Sequence, residues 1–309
     1  GTPPSGGSFT FKVKAANNLG ANVKEVTVQV TDYANWNYAL PFTTDYSGSP
    51  VEDWNMLVRL SDDSSNGAGN VGFRYSQLSP NGGDLRFVSK AGEELNYEIA
   101  NWNTAGESQV WVRVPSLTSD ENVTMYWGNA NAGLPAYANN GSVWDGYFGV
   151  YHLEGTTGSA VDSSPLGNNL PGGNAPVLEI NGLAGTAYSS TGTANNGFMG
   201  VLNSSSNAKE GTYTIWANTP SNPPDWKDFF GVEYNDDSNY NLRFQADNAS
   251  PSHVELKVTG GSKGTLTLSD ANDDLSGWNM LTLVIKDGYA SIYIDGNSVA
   301  YDQAKIVEI

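Results

Sequence analysis

Residues 280–294 read MLTLVIKDGYASIYI, and the period of this segment predicts its secondary structure. Apolar and polar side chains alternate on both sides of Asp287-Gly288, which is the two-residue period of a strand rather than the 3.6-residue period of a helix. An Asp-Gly pair between alternating runs is typical of a type I′ hairpin turn, because both central residues of that turn need positive φ. The segment therefore predicts two antiparallel strands joined by Asp287 and Gly288.

The same strand-like pattern recurs along the whole chain, and clusters of Gly, Asn, Asp and Ser separate the runs. No segment keeps an apolar i, i+3, i+4, i+7 pattern over three turns, so no long helix is predicted. We therefore predict an all-β protein built of tandem β-sandwiches. The other β-rich runs cover residues 9–13, 23–30, 56–60, 85–88, 110–114, 123–127, 147–153, 212–217, 241–246, 254–258 and 265–268.

The composition excludes several classes of function. The 309 residues include 33 Asp+Glu against 15 Lys+Arg, and this net charge of −18 repels the phosphates of nucleic acids. The absence of Cys excludes disulfides, thiol catalysis and thiolate metal sites. No run approaches the roughly 18 apolar residues of a membrane-spanning helix, so we expect no membrane insertion. Because large bacterial surface proteins usually lack cysteine, we predict an extracellular or cell-surface location.

Composition divides the chain into three sections and a linker. Residues 1–33 form one predicted hairpin, which is too short to bury a core by itself. Residues 34–128 are β-rich and form a predicted sandwich. Residues 129–142 are small, contain proline and carry few apolar side chains, so we predict a linker there. Residues 143–309 form the last predicted domain.

The first two sections resemble known families. Residues 1–32 contain GTP at the start and SFTFKVKAAN at 8–17, and they resemble the C-terminal half of a bacterial immunoglobulin-like domain, which implies its last two strands. The section at about 36–128 resembles the domain-of-unknown-function family numbered 2341, which implies a β-sandwich without an established activity. The matching pieces are MLVRL at 56–60, GGDLRFV at 82–88, ELNYEIANW at 94–102, GESQVWVRVP at 106–115 and MYWGN at 125–129.

The third section, at about 143–309, resembles a concanavalin A-like, laminin G-type domain, which implies a jelly roll. The resemblance rests on VWDGYFGVYHLE at 143–154, on Asp162 with the SSPLGNN that follows it at 163–169, on TIWA at 214–217 and on the hairpin between Trp278 and Gly296. That family usually closes with a strand that carries an Asp-Glu-Val-Arg-like motif. Residues 304–309 read AKIVEI, so we expect the last strand to be divergent, displaced or missing.

The sequence favours a protein without catalytic activity. Glycosidases of the concanavalin A-like fold need two carboxylates about 5–10 Å apart, and no Glu-x-Asp-x-x-Glu run occurs. Glu93, Glu94 and Glu98 come nearest, and we interpret them as a solvated strand edge. His152 is interpreted as a hydrogen-bonded structural histidine, since no partner motif accompanies it.

Calcium is the one cofactor that the sequence suggests. Carboxylate, amide and backbone oxygens in irregular loops suit Ca²⁺, which takes about 6–8 of them. The resemblance to laminin G-type domains favours two acidic loops, and their candidate ligands are Asp162, Asp236 and Asp237. The alternative is that these loops are solvated turns, because Asp and Asn also favour turns for their own hydrogen bonds.

A sugar-binding surface would need exposed aromatic rings beside polar groups. Trp226 lies in a proline-rich loop that would hold its ring, and Trp54 follows two acidic residues. Tyr234 and Tyr240 flank the acidic loop that contains Asp236. These four are the candidate ligand-binding residues, with packing against a sandwich as the alternative. For the tryptophans within alternating strands we predict core positions: Trp111, Trp127 and Trp216.

These observations predict a non-catalytic segment of a large, multi-domain secreted or cell-surface protein with an adhesin-like role. Its partner would be a glycan or a protein surface, bound by shallow polar and aromatic contacts on a rigid sandwich. One alternative is a structural spacer or fibre subunit, completed by neighbouring copies through open strand edges. The other is a polysaccharide-acting enzyme, which only the fold analogy favours.

Overall fold

The computed structural model describes residues 7–17, 20–30, 33–63, 72–153, 159–171, 177–179, 182–189, 210–219, 227–233, 241–246, 254–259, 266–269 and 275–301. Across these ranges the regular structure consists of strands and short 3-10 helical turns, and the strands pair antiparallel. The prediction of an all-β fold is confirmed. The chain divides into two compact units, the first with Gly1–His152 and Val161–Asn168, the second with Leu153–Ala160 and Asn169–Ile309.

A two-stranded antiparallel ribbon begins the first unit, with β1 (Gly7–Asn17) paired to β2 (Gly20–Val30). Alternation places Phe11 and Val13 on one face, where about half of each side chain is exposed. On the other face Lys12 pairs with Glu25 at 3.2 Å. Val13 lies directly opposite Lys24, so charged side chains occur on both faces of the ribbon. Pairing with neighbouring copies through its strand edges stays a prediction.

Two three-stranded sheets form the sandwich of the first unit, in the orders β3-β8-β5 and β4-β7-β6. Along β8 every second side chain is completely buried, namely Val123, Met125 and Trp127, as the period of a strand requires. The predicted core position of Trp127 is confirmed. The strands are β3 (Tyr38–Thr43), β4 (Val51–Leu60), β5 (Arg86–Val88), β6 (Tyr97–Asn101), β7 (Ser108–Leu117) and β8 (Asn122–Trp127). The 3-10 turns are Tyr33–Asn35, Tyr75–Gln77, Pro80–Gly82, Ala136–Asn139 and Ser142–Trp144.

Residues 129–142, which the composition predicted as a linker, pack against the sandwich instead. Ala138 is buried and Tyr137 contacts the same core from its edge. Arg86 donates a hydrogen bond from Nη2 to the Gly133 carbonyl at 2.9 Å, which holds the middle of the segment against β5. The amide of Asn129 also donates to buried Asp84, so the segment is joined to the sandwich at its start, middle and end.

The next segment covers the outer side of the β4-β7-β6 sheet, and we call residues 141–152 and 161–168 the cap segment. The Asn55 amide on β4 donates to the Val143 carbonyl at 2.7 Å, and Trp144 packs on Trp111 of β7 at 5.2 Å between ring centroids. Residues 147–153, predicted as a strand, are irregular, because the Val150 amide bonds the Asp162 carboxylate rather than a neighbouring strand. The predicted domain start at residue 143 thus differs from the division in the structure.

The described residues of the second unit form two four-stranded sheets and two small antiparallel pairs. The four-stranded sheets have the orders β13-β18-β19-β20 and β14-β15-β16-β17. Its strands are β9 (Ser159–Ala160), β10 (Leu170–Pro171), β11 (Val177–Glu179), β12 (Ala187–Ser189), β13 (Gly211–Thr219), β14 (Lys227–Glu233), β15 (Asn241–Ala246), β16 (Val254–Thr259), β17 (Leu266–Ser269), β18 (Gly277–Lys286), β19 (Tyr289–Ile294) and β20 (Asn297–Tyr301).

The predicted hairpin at Asp287-Gly288 is confirmed. It joins β18 to β19, and Lys286 is the Cα partner of Tyr289, so the loop has two residues. Both have positive φ, 54° for Asp287 and 82° for Gly288, as a type I′ turn requires. The inward side chains of the two strands are buried: Leu281, Leu283, Ile285, Ala290, Ile292 and Ile294.

Candidate ligand-binding face

One side of the β13-β18-β19 sheet carries aromatic and hydroxyl side chains that are open to solvent. Its opposite side holds the buried aliphatic residues of β18 and β19, so alternation fixes which side chains point outward. We call this outward side the open face. Its aromatic and threonine members are Thr212, Thr214, Trp216, Trp278, Thr282, Tyr289 and Tyr293.

Trp216 is the most distinctive member of the open face, since 49% of it is exposed. The prediction that it lies in the core is wrong: its neighbours Ile215 and Ala217 occupy the less exposed positions of β13. Two residues before it on the same strand, Thr214 shares a hydrogen bond of 3.1 Å with the hydroxyl of Thr282 on β18. A large ring and a pair of hydroxyls therefore stand on the same surface.

The open face is held rigidly by the hydrogen bonds at the two ends of β18. At one end the Met280 amide donates to Asp295 Oδ1 at 2.8 Å, and the Asp295 amide donates to the Met280 carbonyl at 2.9 Å. At the other end the Asp287 amide donates to Glu210 Oε1 at 2.9 Å. A fixed platform loses little conformational entropy when a ligand binds.

The centre of the open face is uncharged. Trp216, Thr214, Thr282 and Tyr293 occupy adjacent strands there, whereas the carboxylates of Glu210 and Asp295 bond the turns at opposite ends of β18. At about 3.3 Å per residue, the span from Met280 to Asp287 separates these carboxylates by about 20 Å. Stacking and hydroxyl contacts are the chemistry that such a surface can offer.

Asp162, a predicted calcium ligand, is buried in the cap segment and accepts hydrogen bonds from protein donors. Its Oδ1 accepts from the amides of Val150 and Ser164, each at 2.8 Å. Its Oδ2 accepts from the Ser164 hydroxyl at 2.7 Å and the Asn168 amide at 2.7 Å. The carboxylate thus closes a turn, but a buried one rather than the solvated turn of the alternative. Calcium binding by Asp162 stays a prediction.

We predict that Asp162→Asn lowers the free energy of unfolding of the first unit by about 1–2 kcal/mol, because an amide nitrogen would face amide donors. The loss should be equal with excess calcium and with EDTA, measured by urea unfolding. Asp145→Asn, which changes an exposed carboxylate of the same segment, should leave the midpoint unchanged. A loss that occurs with calcium alone would instead establish Asp162 as a metal ligand, since a bound ion stabilises the native state by mass action.

The other predicted site residues fall in different parts of the chain. Trp54 lies on β4 and 46% of it is exposed, so its ring is open to solvent as a binding residue would need. The remaining candidates lie outside the described residues: Trp226, Tyr234, Tyr240, Asp236 and Asp237. Among the described residues, no three His, Asp or Glu side chains converge as a metal site would need.

A cluster of charged and aromatic side chains joins the cap segment to the sheet beneath it, and this cluster was not predicted from the sequence. His152 Nε2 lies 3.0 Å from Glu98 Oε2, and Trp144 donates its indole N–H to the same oxygen. Since the carboxylate can only accept, the proton of the first bond sits on His152 Nε2. Trp111, predicted as core, lies partly buried beneath these groups and stacks on the His152 ring at 6.2 Å. The structural role predicted for His152 agrees with these contacts.

The solvated strand edge predicted for the glutamates of this region is wrong for two of them. Glu98 and Glu94 have side-chain exposures of only 18% and 23%. Burial by itself raises the pKa of Glu98, but the hydrogen bonds from His152, Trp144 and Ser163 and the charge of His152 outweigh it, so the pKa lies below its ordinary value. Sequence position could not show these partners, because Glu98 and His152 are 54 residues apart.

Glu94 joins a second buried network on the β3-β8-β5 side. It accepts hydrogen bonds from the hydroxyls of Tyr33 and Tyr137, and Arg86 Nε lies 3.5 Å from its Oε1. Burial and the neighbouring carboxylate raise the pKa of Tyr137. These bonds join the segment before β3 and the 3-10 turn at Ala136–Asn139 to one carboxylate, which is a structural role.

Two family models match the chain in the order that the sequence resemblances predicted. Residues 81–166 match the domain-of-unknown-function family numbered 2341, and residues 187–306 match the concanavalin A-like lectin/glucanases superfamily. The first match extends through the cap segment, in agreement with the packing of that segment on β7. The open face lies in the second match. No curated protein and no solved structure matches the chain.

None of the described helical turns is long and apolar enough to cross a membrane.

Proposed function

We propose that this chain is a non-catalytic recognition segment of a secreted or cell-surface protein, and that its second unit binds a neutral glycan on the open face. The observation that carries the proposal is the half-exposed Trp216 ring beside the hydroxyls of Thr214 and Thr282, on a sheet whose other side is buried. Sugar rings stack on flat aromatic side chains, and their hydroxyls exchange hydrogen bonds with small polar groups.

The family match and the charge of the chain support this assignment. A concanavalin A-like domain fits a carbohydrate- or protein-binding role. The net charge of −18 disfavours anionic glycans and anionic surfaces, because like charges repel at long range. A neutral polysaccharide avoids this repulsion and needs only the stacking and hydroxyl contacts of the open face.

The geometry of the carboxylates supports binding rather than hydrolysis. A glycosidase places two carboxyl groups about 5–10 Å apart on either side of the scissile bond. Among the described residues, the carboxylates of Glu210 and Asp295 are about 20 Å apart by strand length, and each already accepts a backbone amide. Asp287, whose amide Glu210 accepts, lies in the hairpin turn at the end of the sheet. An adhesin-like role outside the cell, with calcium bound through Asp236 and Asp237, completes the proposal.

The test compares Trp216→Ala with Phe11→Ala, a control because the two aromatic rings are similarly exposed and lie in different units. We expect Trp216→Ala to weaken binding to a soluble polysaccharide at least tenfold, which is about 1.4 kcal/mol. Phe11→Ala should bind as the wild type does. Native affinity electrophoresis in gels with mannan, xylan or mixed-linkage β-glucan measures both. Equal affinities for wild type and Trp216→Ala would refute the open face as the binding site.

A further inference from the structure

We propose that the first unit carries a separate site for a neutral sugar, formed by Tyr147 of the cap segment with Asn55, Asp53 and Arg113 of the sheet beneath it. Alternation along β4 and β7 places Asp53, Asn55 and Arg113 on the same outer side, with Asn55 directly opposite Arg113. We call these four residues the Tyr147 site. Arg113 and Tyr147 lie within residues 81–166, which match the domain-of-unknown-function family numbered 2341, and the site does not depend on the open face.

The Tyr147 ring is both exposed and fixed. Its hydroxyl donates to Asn55 Oδ1 at 3.1 Å, and its ring packs edge to face on Trp144 at 5.4 Å. The Asn55 amide is fixed in turn by its bond to the Val143 carbonyl. Even so, 44% of Tyr147 is open to solvent. A ring held in place before binding loses little rotamer entropy when a sugar stacks on it.

Arg113 forms ion pairs with two carboxylates, those of Asp53 and Asp145. Its Nε and Nη2 donate to Asp53 Oδ1 at 3.2 and 2.9 Å, and its Nη1 donates to the Ser142 carbonyl at 3.3 Å. Asp145 Oδ2 lies 3.6 Å from the same Nη1. The side chains of Asp53 and Asp145 are 64% and 75% exposed, so their oxygens can accept from a ligand.

The backbone of Asp53 gives a second, independent observation. Its φ is 54° within β4, a left-handed conformation that is uncommon outside glycine, although Asp adopts it more often than most residues. Strand β4 nevertheless keeps its register with β7 on both sides, with Glu52 opposite Ser116 and Trp54 opposite Val114. Such strain persists only where the surrounding contacts impose it, and it is concentrated at binding sites and active sites.

The charges of the site favour a neutral ligand. Asp53, Asp145 and Arg113 sum to −1, and the chain as a whole carries −18, so an anion is repelled. A cationic peptide would have to compete with the Arg113 guanidinium, which already holds Asp53 through two donors. Sugar hydroxyls can donate to the free lone pairs of these carboxylates without displacing Arg113, while the ring stacks on Tyr147.

The test uses the full 309-residue chain with Trp216→Ala, so that the open face no longer contributes. In native gels with mannan, xylan or mixed-linkage β-glucan, we expect this variant to keep measurable retardation by at least one polysaccharide. Adding Tyr147→Ala should weaken that binding at least tenfold. Adding Phe148→Ala, which removes a similarly exposed neighbouring ring, should not change it. Near-ultraviolet circular dichroism checks that each variant keeps its fold.

Three outcomes contradict the Tyr147 site. It fails if Trp216→Ala abolishes retardation in all three gels, a result that would still support the open face. It also fails if Tyr147→Ala has no effect, or if it weakens binding to poly-lysine and not to polysaccharide, which would indicate a cationic peptide instead. Conversely, the single variant Tyr147→Ala could lose binding to polysaccharide while the single variant Trp216→Ala keeps the affinity of the wild type. That result would support the Tyr147 site and refute the open face.

Discussion

Asp84→Ala is expected to lower the free energy of unfolding of the first unit by about 3–5 kcal/mol, because it leaves buried donors without an acceptor. The Asp84 side chain is completely buried. Its Oδ1 accepts from the Ser79 amide at 2.8 Å, and its Oδ2 accepts from the amides of Gly128 and Asn129 at 2.7 and 2.9 Å. One carboxylate thus joins the turn before β5 to the end of β8.

Urea unfolding of the full chain, followed by tryptophan fluorescence, measures this loss. Asp84→Asn keeps one acceptor oxygen and should unfold between the wild type and Asp84→Ala. Asp120→Ala is the control, because the Asp120 side chain is exposed beside Lys90, and its midpoint should not change. If Asp84→Ala and Asp120→Ala unfold at the same midpoint, the three hydrogen bonds to Asp84 contribute nothing to stability.

Local periodicity predicted the all-β fold and the hairpin at Asp287-Gly288, because both depend on residues close in sequence. The turn needs positive φ at two adjacent positions, and Asp-Gly is among the pairs that adopt it most readily. The flanking strands need alternation over six residues or more, and residues 280–294 provide it on both sides. These are properties that a short segment carries by itself.

The two faces of β13 could not be distinguished from sequence. Thr212 to Ala217 place an isoleucine on one face and a tryptophan on the other, so alternation alone leaves two registers. If the larger side chain, Trp216, is chosen as the core residue, the wrong face of β13 is assigned to the core. The pairing of Trp216 with Met280, beside the buried Leu281 of β18, decides in favour of the outward position. The central residue of the candidate site was therefore found only in the structure.

The position of the cap segment could not be predicted for a similar reason. Residues 143–154 and 162–169 resemble the opening of a laminin G-type domain, whereas Trp144 and His152 in fact pack on Trp111 of the preceding sandwich. Contacts between residues more than thirty positions apart leave no trace in local period or composition. The same limit applies to the Tyr147 site, whose ring and carboxylates come from distant segments.

Glu98→Gln is expected to lower the free energy of unfolding of the first unit by about 1.5–3 kcal/mol at pH 7, the range for hydrogen bonds to a charged group. Glu98 Oε2 receives the indole N–H of Trp144 and Nε2 of His152, so it fixes two aromatic side chains of the cap segment at once. Glutamine keeps the shape but loses the charge and half of the acceptor capacity. Tryptophan fluorescence during urea unfolding reports the change.

The effect of Glu98→Gln should depend on pH in one direction. Because its partners hold the pKa of Glu98 below the ordinary value, despite burial, the carboxylate contributes fully above about pH 4.3, the ordinary pKa of glutamate. Its contribution is lost as pH falls through the lowered folded pKa, so the difference from the wild type should narrow towards pH 3. Glu107→Gln, at an exposed pair with Arg59, should show a small difference that does not vary. A difference for Glu98→Gln that stays constant from pH 7 to pH 3 would mean that shape, not charge, holds the cap segment on β7.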